Sequence, residues 1–126
     1  MTATIRPALA NSGAMSQFIG EFEVTSKLSG QVYQCRFSHM WNGIATRHSD
    51  TIDTKITVDG EAHVVGLIHT AFVTFREKRG RDLTDREASY ISAEYLRERL
   101  EEEDLRLLYD VTHDDVLRLI DQLGIK

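Results

Sequence analysis

The stretch TIDTKITV-DG-EAHVVGLI, residues 51–68, decides how this chain folds. Its centre is Asp59-Gly60. A two-residue Asp-Gly loop favours a type I′ turn, because both central residues take positive φ and the turn's twist matches that of paired strands. The runs 51–58 and 61–68 on either side are rich in Ile, Val and Thr, as strands are. An antiparallel hairpin follows, and its register can be written down. Val58 faces Glu61, Ile56 faces His63, Thr54 faces Val65 and Ile52 faces Leu67. The second run is apolar on both sides toward its far end, which suits a central strand.

Upstream, Gln17–Ser26 alternates, with Phe18, Gly20, Phe22 and Val24 on one side. After the turn Lys27-Leu28-Ser29-Gly30, residues 31–38 alternate again through Tyr33, Cys35 and Phe37. Period-two patterning separated by a short glycine-containing turn predicts a second hairpin over 17–38. Ile44–His48 reads as a short strand or an extended loop.

Downstream the period changes. Ile68, Ala71, Phe72 and Phe75 recur at helical spacing, with Arg76, Lys78 and Arg79 in the last turn and Gly80 as a left-handed cap. Thr84 and Glu87 form a T-x-x-E capping box ahead of a second helix, whose acidic end 101–104 is expected to fray or be neutralised by Arg97 and Arg99. Thr112 opens a third helix, with Val116, Leu119, Ile120 and Leu123 as its stripe. The expectation is an α+β domain over 17–126. An antiparallel sheet of four or five strands (17–68) precedes three helices (69–79, 84–103 and 112–123) packed on one face. Residues 1–16 show no period and are expected to form a flexible tail.

Composition excludes several classes. No apolar run approaches the roughly 18 residues of a membrane span. A single cysteine, Cys35, allows no internal disulfide and suits a reduced thiol in the cytoplasm. Residues 1–83 carry nine Lys/Arg against eight Asp/Glu, whereas 84–126 carry six against twelve. The acidic C-terminal portion would repel a phosphate backbone, so no nucleic-acid partner is expected. The one basic cluster, Arg76–Arg81, is explained by a helix terminus.

The best candidate site is the segment 39–53, which gathers His39, Trp41, Arg47, His48, Asp50 and Asp53. An Arg fork with a neighbouring histidine suits a small anionic ligand. The structural alternative has Trp41 anchoring the loop on the core and Arg47 pairing with Asp50 or Asp53. A metal held by His39, His48 and a carboxylate is not expected, since neither histidine sits in a short ligand motif. His63, facing Ile56, reads as a buried neutral imidazole bonded to a backbone carbonyl, and His69 as a helix-start residue. Cys35, between Tyr33 and Phe37, reads as core packing. There is no G-x-G-x-x-G, Walker loop, G-x-S-x-G or C-x-x-C, and no cofactor is implied. Two functions remain open. One is a non-enzymatic binding module that self-associates through its sheet edges as a homodimer. The alternative is an anionic-ligand protein or enzyme built on the six candidate residues.

Overall fold

Asp59 and Gly60 both take positive φ, 50° and 84°, and the chain reverses between them. In the computed structural model, which describes residues 17–126, the flanking strands are β3 (Thr51–Val58) and β4 (Glu61–Ile68). Their register is the one the turn dictates: Val58 with Glu61, Ile56 with His63, Thr54 with Val65, Ile52 with Leu67. The turn is also tied sideways, because Asp59 N–H donates to the Gln34 carbonyl (2.8 Å) and Gln34 N–H to Asp59 Oδ1 (3.0 Å). The tail expected at 1–16 lies outside the described residues.

The first hairpin comprises β1 (Glu21–Thr25) and β2 (Val32–Asn42). β2 runs well past residue 38, where the sequence pattern ends. A bulge is the reason. Phe37 pairs with Ile56 but His39 with Lys55, so Ser38 is the extra residue. The bulge shifts the phase of the alternation. Before it, Tyr33 and Cys35 face the core; after it, Met40 takes that side opposite Thr54, and His39 and Trp41 turn to the other face. A strand with broken phase reads as irregular. The segment after it is also neither strand nor loop: Gly43–Arg47 forms a short helix, α1, capped by the Asn42 side chain.

The three longer helices are α2 (His69–Arg79), α3 (Asp85–Glu101) and α4 (His113–Gln122). Thr84 and Glu87 make both halves of the capping box, each at 3.0 Å. Gly80 ends α2 at φ 74°. His69 starts α2 but caps nothing with its side chain; its N–H donates to the Asp50 carbonyl, and its ring stacks on Phe72. α3 lies on the core face, where Ser92 Oγ donates to Thr54 Oγ1. Phe22, Val24, Ile56, Val65 and Leu67 from the sheet pack there with Phe75, Ile91, Leu96, Leu119 and Ile120 from the helices. At the acidic end of α3 Arg97, which also bonds Glu94 through two nitrogens (2.6 and 2.9 Å), reaches Glu101 at 2.7 Å, while Ser26 donates to Glu103 (2.6 Å) and Arg106 to Asp104 (2.9 Å). Arg99 instead lies over the Tyr95 ring.

The C-terminal portion is not wholly helical. Leu108–Val111 forms β5, parallel to β4 and completing a sheet of order β1-β2-β3-β4-β5. Only four of its strands lie within 17–68. Four residues are too few to display a period against the helices on either side, and a parallel partner must be delivered by a long crossover. Here α2 and α3 provide it. The chain is thus α+β, with the long helices on one sheet face. Among the described residues no helix is long and apolar enough to cross a membrane.

Replacing Gly60 by valine forces a β-branched residue into a left-handed conformation. Urea unfolding should show a loss of about 1–2 kcal/mol, with an unchanged circular dichroism spectrum. An undiminished stability would mean that the turn is not the constraint described.

Candidate functional site

Alternation places Thr51, Asp53, Lys55 and Thr57 on the sheet face away from the long helices. Asp53 is nevertheless fully buried, with no exposed surface, because α1 folds back over it. Arg47, the last residue of α1, brings its guanidinium down on the carboxylate. Nε donates to Oδ2 (2.8 Å) and Nη2 to Oδ1 (2.9 Å). Thr51 Oγ1 donates to the same carboxylate at 2.7 Å. On the outer side Arg47 Nη2 donates to Asp110 Oδ1 at 2.8 Å. These Asp53 hydrogen bonds hold the guanidinium protonated well above the ordinary arginine range, against the opposing effect of burial, and Asp110 adds to them. The approach demands small neighbours. A methyl group at Gly66 would collide with the Arg47 guanidinium and the Asp53 carboxylate, and one at Gly43 with Thr51 and Asp53.

Of the pairings open to Arg47, the structure forms the one with Asp53. The six candidates do not converge. His39 and Trp41 sit side by side on the uncovered face, ring centroids 5.0 Å apart. Trp41 does not anchor a loop on the core: it is half-buried in β2, and its Nε1 donates to Thr46 Oγ1 at 2.9 Å. His48 caps α1 in a left-handed conformation at φ 54°, and both it and Asp50 are exposed. Two hollows on the uncovered side, of about 350 and 580 Å³, centre on Arg36 and Thr57. None of the six candidates lines them. Among the described residues no three His, Cys, Asp or Glu side chains group so as to hold a metal ion.

Sequence reasoning missed Asp110. It lies 63 residues from Arg47 and reaches it only because β5 pairs with β4, Gly66 standing opposite Asp110. It also missed a hydroxyl–imidazole–carboxylate series on the helical side. Thr74 Oγ1 lies 2.8 Å from His113 Nε2, and His113 Nδ1 lies 3.3 Å from Asp114. Asp114 is 99% exposed, so solvent screens the carboxylate that would have to orient the imidazole.

His63 is buried, as its place opposite Ile56 implies. Its Nδ1–H donates to the Arg106 carbonyl at 2.5 Å, and its Nε2 makes no hydrogen bond, with Glu61 the nearest charge at 3.4 Å. The basic cluster 76–81 serves the helix layer. Arg79 and Arg81 donate to the carbonyls of Ile125 and Lys126, and Arg81 forks onto Glu87 with two bonds of 2.9 Å. Cys35 is buried, and burial, with help from the Asp59 charge, pushes its thiol up to about 12.

Comparisons with family models, curated proteins and solved structures return no match to this chain.

Two outcomes follow from the geometry. Arg47→Met leaves Asp53 buried without its counter-charge and should lower unfolding stability by about 3–5 kcal/mol. A loss within the range of a surface substitution would show that Asp53 is solvated instead. Cys35 should resist iodoacetamide in the native state and react only as fast as the protein unfolds, because the thiolate is scarce at neutral pH and the sulfur is enclosed. Rapid labelling of native protein would contradict both points.

Proposed function

We propose that this chain is a non-enzymatic binding module that self-associates. The observation that carries the reading is that, among the described residues, the five-stranded sheet ends in β1 and β5, each paired on one side only, with no helix longer than the five-residue α1 on its outer face. An open sheet edge presents a row of main-chain donors and acceptors that a further strand can satisfy. Exposed apolar residues gather near one margin, with Leu105, Leu107 and Leu108 within four positions of one another. A buried reduced thiol at Cys35 fits a reducing compartment, and we place the module in the cytoplasm.

The internal use of charge supports the same reading. The cationic group best suited to an anionic ligand, Arg47, already serves Asp53 and Asp110. The competing reading, an anionic-ligand site or enzyme on residues 39–53, requires that fork to leave a buried carboxylate. Phosphate or a carboxylate metabolite raising the melting temperature in an Arg47-dependent way would favour that reading.

Multi-angle light scattering over a wide concentration range tests the proposal. The expected result is a mass that rises from one chain toward two or more as concentration increases. A strictly monomeric chain at every concentration refutes self-association.

A further inference from the structure

The two sheet margins differ in chemistry. At β1, Glu21 and Glu23 stand exposed along the edge. Two such edges run antiparallel would bring like charges together, which is how edge strands are kept from pairing. β5 is different. Its parallel ladder starts with Val64 N–H donating to the Leu107 carbonyl at 2.9 Å. In such a ladder alternate residues face the neighbour, so Leu107, Tyr109 and Val111 serve β4. Leu108 and Asp110 turn their N–H and C=O groups outward, at the margin where the sheet of described residues ends. Leu108 is 41% exposed and Leu107 66%.

The charges near β5 are self-complementary. Arg106 lies two residues before Leu108 and Asp110 two residues after it, and both side chains are more than half exposed although each has an internal partner, Arg106 Nε on Asp104 (2.9 Å) and Asp110 Oδ1 on Arg47 (2.8 Å), which leaves the Arg106 Nη groups and Asp110 Oδ2 for the seam. In an antiparallel pair centred on Leu108, each Arg106 stands across from Asp110 of the second copy. The segment is also held in shape beforehand. Tyr109 Oη accepts from Arg106 N–H (2.8 Å) and donates to the Asp104 carbonyl (2.7 Å), while His63 holds the Arg106 carbonyl. Such pre-organisation lowers the ordering entropy lost on association.

We propose that the outer edge of β5 is the dimer seam, and that its partner is a second copy of this chain. This rests on the self-association reading and names the surface that carries it. Leu108 exchanges its two outward main-chain hydrogen bonds with Leu108 of the second copy. Arg106 uses its own N–H and C=O internally, so only side chains extend the contact beyond Leu108: the exposed leucines and the two Arg106–Asp110 pairs. The two-fold axis stands perpendicular to the sheet. The two five-stranded sheets join into one, with the long helices of both copies on the same side and the uncovered faces continuous on the other.

Analytical ultracentrifugation of the whole chain and of three variants tests the seam, with thermal melting as the folding control. Leu108→Lys should be monomeric at concentrations where the parent dimerises, with the parent's melting temperature. Arg106→Glu and Asp110→Lys each set like charges across the seam and should weaken dimerisation at least about tenfold. Mixing these two should restore it, because the heterodimer has opposite charges at both pairs. Asp110→Lys also sets an ammonium beside Arg47, so if either it or Leu108→Lys fails to fold, the other arm decides alone. A dimer that persists unchanged in folded Leu108→Lys, or a mixture that does not recover, overturns the seam but leaves self-association standing. A parent chain that never dimerises overturns both.

Discussion

The parity of the β3–β4 ladder is the constraint on which the rest depends. Side chains alternate along a strand, so a slip of one residue would exchange the two faces entirely. In the observed register Ile56, Val65 and Leu67 lie beneath the helices, and Asp53 lies on the far face. One residue out of register, a carboxylate would enter the hydrocarbon core without its partner. The Asp59-Gly60 reversal prevents this by fixing which residues meet. β2, β5 and the helices pack against a surface whose polarity that register sets.

Charged groups are buried on both sides of this sheet, and both sets are paired. Arg47 covers Asp53 on the outer face. On the helical side Arg97 lies between Glu94 and Glu101, and Gln122 Nε2 adds a 2.6 Å bond to Glu94. Such pairs contribute little net stability relative to apolar replacements, yet removing one partner is costly. Their consequence here is geometric. The Arg47 fork pins α1 to β3 and, through Asp110, links the central hairpin to β5. It also commits the most suitable anion-binding group to an internal partner.

Legibility from the residues alone varied with how local the cause was. The 51–68 hairpin and helix α2 have the bounds their patterns predict, because turn chemistry, period and caps all act within a few residues. The Thr84–Glu87 capping box and the burial of His63 against a carbonyl were legible for the same reason. β2 was cut short because the bulge at Ser38 breaks its alternation, and a shifted period looks like no period. α1 was hidden in the same segment, too short to show a helical stripe. β5 was missed because four residues between two helices carry too little pattern. In the candidate site, the Arg47–Asp53 pair was legible in kind, being six residues apart on adjoining elements. The third member, Asp110, was not.

Residue type and spacing suffice to establish an α+β chain, the register of its central hairpin, the positions of its long helices and the internal role of Cys35. Those features arise from φ preferences, side-chain periodicity and capping, all short-range. Which strand lies at the sheet's margin, whether Arg47 is free or engaged, and where Trp41 points depend on contacts between distant segments. Parallel pairing of β5 with β4 brings Asp110 to Arg47 across 63 residues, and no local preference encodes an encounter of that range.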